Sequence, residues 1–239
     1  MKKFLTLALG DLKNVSRDSF LILIYCIPIF IALLFRFVVP VIADFVVQWV
    51  DLTVHYAFIM SFLAFLTPSF VGMVMGFMLL DERDEDILSY MAVTPLSKSG
   101  YLLYRIVSPM IISFVIMYLI LFIAHLTPVP VVRLIPVGIM AAMEAPMLAL
   151  FLAAFANNKV EGLAVYKLTS MIFLAPFVGY FVKSNWAYLA GILPPFWVSK
   201  AFLASFEPFT GYWIFIAIGF IVHSIFIYLM LGHFNRRIS

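Results

Sequence analysis

Six apolar runs, each long enough to cross a bilayer, fill this chain and leave little sequence for anything else. A spanning helix needs about 20 apolar residues to cross roughly 30 Å of hydrocarbon. Hydrophobic residues make up 65% of the chain and charged ones 11%, more apolar surface than any soluble core requires. The runs lack the apolar/polar alternation of a transmembrane barrel. The fold class is therefore an all-α membrane protein with six transmembrane helices, which can close their backbone hydrogen bonds internally as hydrocarbon demands.

The spans are expected near residues 20–43, 54–80, 102–126, 133–156, 163–183 and 210–232. Six spans of about 20 residues leave no room for a globular unit, so residues 1–239 read as one transmembrane domain. With the N-terminus inside, eleven Lys and Arg lie on the cytoplasmic side and four (Arg36, Arg133, Lys183, Lys200) on the outer side. That bias orients the chain with both termini cytoplasmic. The basic residues flank the spans and form no stripe, so nucleic acid is not an expected partner. The single cysteine, Cys26, excludes an intrachain disulfide and reads as a small buried apolar residue.

Residues 1–18 are not a signal peptide, because Asp11, Lys13, Arg17 and Asp18 interrupt the apolar run. Leu5, Ala8, Leu9, Leu12 and Val15 share one helical face, so this segment reads as an amphipathic helix on the membrane surface. Residues 184–209 are too apolar for a free outer loop, and Pro194-Pro195 would break a helix there. Two short segments re-entering the outer interface are expected, anchored by Trp186, Tyr188 and Trp197. Pro28, Pro68, Pro109, Pro146 and Pro176 fall inside five spans and can kink them. Gly72 and Gly76 allow a close helix approach in the second span.

The dense charge block Asp81 to Asp86 lies between the second and third spans. Residues 84–93 can form a short helix with Ile87, Leu88 and Met91 on one side and acids at its start, where the helix dipole favours them. Thr94-Pro95 ends that helix, and Ser97 or Ser99 can cap the third span. The functional reading of the 81–99 loop is a docking element for a cytoplasmic protein; the bland one is a solvated charged loop.

The segment DERDEDILSYMAVTPLSKSGYLLYR, residues 81–105, resembles the coupling segment of ABC-2 type transporter permeases. Asn158-Lys159-Val160-Glu161-Gly162 followed by Lys167 resembles a segment of that family's bacterial drug-export branch, which includes permeases for fluoroquinolone export. Leu193-Pro194-Pro195-Phe196-Trp197 with Lys200 is similar to the family's outer proline-aromatic element. The resemblance implies two six-span halves around a pathway, either two copies or a copy with a paralogue, driven by separate ABC ATPase subunits. It implies ATPase coupling through Glu82, Asp84, Glu85, Asp86, Ile87, Leu88 and Met91, and an outer gate at Leu193, Pro194, Pro195, Phe196 and Trp197. The chain carries no GxxxxGK[ST] phosphate loop. No cofactor is expected in it, and ATP and Mg would sit on the partner ATPase.

Glu144, near the middle of the fourth span, costs roughly 2.5–3.5 kcal/mol as an ion on insertion scales. It is expected inside the bundle, as a translocation-cavity carboxylate for a cation or proton, or as a structural glutamate at the Pro146 kink. No metal-ligand spacing or catalytic constellation is present, so neither a metal site nor an enzyme is expected. The leading reading is a permease subunit of an ATP-driven exporter of hydrophobic or amphipathic compounds. Its rivals are a proton-coupled transporter using Glu144 and a non-transporting immunity or assembly subunit.

Overall fold

The computed structural model describes residues 2–85, 97–207 and 211–237. These residues are helical, with six helices long and apolar enough to cross a membrane: 19–46, 52–84, 100–124, 131–155, 159–181 and 212–237. A first helix, α1 (Lys2–Arg17), precedes α2 (Ser19–Val46), whose start is capped by the Asp18 carboxylate accepting from the Phe20 and Leu21 amides. The second span is a 3-10 turn (Leu52–His55) running into α3 (Tyr56–Asp84), and the third is α4 (Ser97–Ala124). The fourth span divides into α5 (Val131–Ala142) and α6 (Glu144–Phe155). The fifth divides into α7 (Lys159–Thr169), a 3-10 turn (Ser170–Leu174) and α8 (Ala175–Phe181). A 3-10 segment (Asn185–Ile192) and α9 (Pro194–Ala204) follow, and α10 (Tyr212–Arg237) is the last span.

Proline acts at only some of the expected positions. Pro28, Pro68 and Pro109 sit within continuous helices. The fourth span breaks at Met143, three residues before Pro146, whose ring has no N–H for the Ala142 carbonyl and crowds it. Pro176 opens α8 after a 3-10 turn. Pro194 and Pro195 stop the preceding 3-10 segment and begin α9, where their missing N–H groups would be unpaired in any case.

The second and fourth spans form the centre: 89% of the most apolar 18-residue stretch of each is buried, against 17–28% for the other four. The glycine pair of the second span makes this packing possible within one chain. A Cβ on Gly72 would stand 2.6 Å from the Ala145 carbonyl oxygen, and one on Gly76 would stand 2.7 Å from a Leu152 methyl carbon. Two apolar clusters result. One holds Met60–Phe65, Met117–Ala124, Leu134–Ala141 and α9 residues; the other holds Met73–Leu80, Ala149–Ala156, Leu21 and Phe234. Cys26 departs from expectation: it is exposed on the outer face of α2.

Because the neighbour at Gly72 is backbone and that at Gly76 is a side chain, the two positions should differ. Gly72→Ala is expected to cost about 1–3 kcal/mol by overpacking, and Gly76→Ala less. Unfolding of the purified protein in a bilayer mimetic measures both.

Candidate functional site

Polar groups that cannot reach water must find partners inside the bundle, and they gather at three places. The largest cluster lies at the end of the bundle shared by both termini. Arg105, on the first turns of α4, is 2% exposed. Its Nη1 donates to Asp11 Oδ2 of α1 at 2.8 Å, its Nη2 to Glu82 Oε1 of α3, and its Nε to the Tyr101 hydroxyl at 3.1 Å. The Tyr101 hydroxyl donates to Glu82, and the Tyr104 hydroxyl donates to Asp11 Oδ2 at 2.6 Å. The guanidinium also lies 5.3 Å from the Tyr101 and Tyr104 ring centres. Glu82 therefore points inward, because Arg105 one span later offers it a charged partner. Asp84 and Glu85 are exposed at the end of α3. Asp86, Ile87, Leu88, Met91 and Thr94-Pro95 lie outside the described residues, as do the side chains of Ser97 and Ser99.

Beside this cluster, three cations close the turn between the fourth and fifth spans. Arg83 donates to the carbonyls of Ala153 (3.1 Å), Ala156 (3.0 Å) and Asn157 (2.8 Å). Arg237 donates to the Ala154 carbonyl and the Asn157 side chain. They satisfy the orphan carbonyls that any helix leaves at its C-terminus. Asn158 then caps α7 by accepting from the Glu161 amide at 2.9 Å, and Glu161 accepts from the Asn157 amide at 2.8 Å. Lys159 bridges Asp18 (3.2 Å) and Asp81 (2.9 Å). Burial would raise the Asp18 carboxyl, but Lys159 and the Leu21 and Phe20 amides outweigh it and hold it below the usual 3.8. This support for the start of α2 is present above the ordinary carboxylate range and is lost as pH falls through the lowered value.

The second place is the break in the fourth span. Glu144 is 1% exposed and faces His223 of α10, with Oε1 3.7 Å from Nε2. His223 Nδ1 lies 2.7 Å from the Gly219 carbonyl, which only accepts, so Nδ1 carries a proton and Nε2 is turned to the carboxyl. Neither Glu144 Oε1 nor His223 Nε2 has a hydrogen-bond partner among the described residues. Glu144 is thus enclosed between α6 and α10 of one chain.

The third place is α9. Phe196 is fully buried, and the Trp197 indole donates to the Gly191 carbonyl at 2.6 Å. A Cβ on Gly179 would come within 2.8 Å of Phe196, and one on Gly191 within 2.7 Å of Trp197. Ser199 and Ser61 share a hydrogen bond of 3.0 Å, tying α9 to α3. Lys200 stands 5.7 Å from the Tyr188 and Phe196 ring centres, and burial with the nearby Lys183 charge lowers its pKa. Leu193 to Trp197 form a packed wedge between the fifth and sixth spans. Arg36, exposed on α2, donates to the Ile123 carbonyl at 3.1 Å.

Sequence reasoning placed Glu144 inside but missed His223, whose pairing requires knowing that α6 meets α10. It also missed Asp11 and Arg105 as partners of Glu82. The signal was available: Arg105 is one of the few cations set within an apolar run.

Four spans packed around two central ones define a polytopic membrane protein. The chain belongs to the family described as Fluoroquinolones export permease protein Rv2686c-like, whose model matches residues 11–231. Its relatives include the Fluoroquinolones export permease protein Rv2686c of Mycobacterium tuberculosis (strain ATCC 25618 / H37Rv). They also include the Fluoroquinolones export permease protein MT2760 of Mycobacterium tuberculosis (strain CDC 1551 / Oshkosh). Each is 26% identical over 233 residues, covering 95% of this chain and 92% of the relative. No solved structure matches the chain.

Because Glu144 Oε1 has no hydrogen-bond partner among the described residues, Glu144→Leu is expected to cost no more than about 1–3 kcal/mol, through the change of shape in a packed centre. Arg105→Gln, which strands two carboxyl groups, should cost about 3–5 kcal/mol. Denaturant unfolding in bilayer-like micelles checks each value.

Proposed function

We propose that this chain is the membrane permease subunit of an ATP-driven exporter that moves hydrophobic or amphipathic compounds, fluoroquinolones among them, out of the cell. The observation that carries the reading is the family match across residues 11–231. Separate ABC ATPase subunits bind ATP and Mg, and a second permease copy or paralogue completes the pathway. The end of the bundle holding both termini faces the cytoplasm of the cell membrane, in keeping with its excess of Lys and Arg.

In this reading the 81–99 loop docks on the ATPase, with Glu82, Asp84, Glu85, Asp86, Ile87, Leu88 and Met91 as its coupling residues. The Glu82–Arg105–Asp11 cluster supports the proposal mechanically, because it binds the helix entering that segment to the helix leaving it and to α1. A push on the segment is then delivered to α1, α3 and α4 together. Leu193 to Trp197 act as the outer gate, and Glu144 enters the pathway when α6 and α10 part. The unsatisfied Glu144–His223 pair favours one rival: transport driven by protons through Glu144.

Charge reversal at Asp84, Glu85 and Asp86 should abolish both co-purification of an ATPase and drug-stimulated ATP hydrolysis, while leaving the melting temperature of the permease unchanged. Fluoroquinolone efflux that survives ATP depletion but collapses with the proton gradient would replace this proposal with the proton-coupled reading.

A further inference from the structure

A cavity of about 1130 Å³ lies between α1, α2, α3 and α4, apart from Glu144 and from the α9 wedge. Leu12 and Val15 of α1 and Val107 and Ile111 of α4 line it, together with the ring of Tyr25. Ile111 is 60% and Leu12 66% exposed, so its mouth opens sideways on the apolar flank of the bundle. Its polar end is Asp11 with Tyr104. Both hydrogen bonds described for the Asp11 side chain arrive at Oδ2, from Arg105 at 2.8 Å and Tyr104 at 2.6 Å. Neither goes to Oδ1.

Among the described residues, Asp11 and Glu82 face a single guanidinium, so with both carboxyl groups ionised one formal negative charge is unmatched in a region of low dielectric. The volume suits a drug-sized body, since ligand sites commonly run to about 1,000 Å³. We propose that this cavity binds an amphipathic organic cation entering from the lipid side, with its apolar body against Val107 and Ile111 and its charge at Asp11. The cation supplies the missing positive charge, and the Tyr25 and Tyr104 rings favour it further. A lipid acyl chain would fill only the apolar part, and a phospholipid phosphate would meet a like charge. The proposal rests on the exporter reading and names the substrate class for it.

The test uses the purified full-length chain in nanodiscs without any ATPase. The probe is 4-benzoylbenzyl-triphenylphosphonium, photoactivated and located by peptide mass spectrometry. Labelling is expected within residues 8–15 and 103–116. Tetraphenylphosphonium should compete, and tetraphenylborate, of the same shape and opposite charge, should not. Ile111→Trp, which fills the cavity without touching the charged cluster, should lower labelling at least tenfold, and Asp11→Asn should do the same while retaining Tyr104 as a donor. Labelling unchanged in Ile111→Trp, equal competition by tetraphenylborate, or a co-purified phospholipid there that the cation does not displace would each overturn the site. Specific labelling in a protein that exports nothing with ATP would leave the site standing and remove the exporter reading. Export with no labelling would do the reverse.

Discussion

A guanidinium cannot be left bare in hydrocarbon, and the burial of Arg105 organises one whole end of this protein. Its two carboxylate partners come from different helices, Asp11 from α1 and Glu82 from α3, while Arg105 itself lies on α4. The surface helix is thereby pinned to the bundle, and the two ends of the 86–96 segment are pinned to each other. Arg83, Lys159 and Arg237 extend the same logic to the neighbouring turn, where orphan carbonyls at the end of α6 require donors. Every cation at this end that has a described partner holds two pieces of chain together, so the end behaves as one block.

Farther along, packing replaces charge. Lipid offers no hydrophobic drive between helices, so close backbone approach must supply the attraction. Gly72 and Gly76 permit it between α3 and α6, and Gly179, Gly191 and Gly219 permit it around α9, where Phe196, Trp197 and Met140 occupy the space a Cβ would need. Between these regions sits the break at Met143 with Glu144 and His223. The fourth span is thus two short helices joined at Met143, beside a buried carboxyl and imidazole with no hydrogen-bond partner among the described residues.

Much of this was legible in the chain. The six spans follow from hydropathy because no other structure can hide so many apolar residues, and the interior position of Glu144 follows from the cost of exposing a carboxyl to lipid. What hydropathy could not reveal was pairing. The second span was expected to stop near residue 80, yet α3 runs to Asp84, because Glu82 and Arg83 find internal partners and need no water. Nor could the charge run show that the Glu82 side chain meets Arg105 of the next span, because that pairing is set by packing. Cys26 was taken as buried from its small apolar character, but helix rotation decides that, and α2 turns it outward. Pro194-Pro195 signalled a helix break and in fact starts α9, since a proline pair marks a boundary without saying which side of it is helical.

Asp11, Arg105 and Glu82 form a single unit joining α1, α3 and α4. A double-mutant cycle with Asp11→Asn and Glu82→Gln, read by unfolding of the full-length protein in a bilayer mimetic, tests it most directly. Coupling through the shared guanidinium predicts that the two losses differ from additivity by about 0.5–3 kcal/mol. Losses that simply add would mean that the two carboxyl groups act independently, and the joined end described here would not exist.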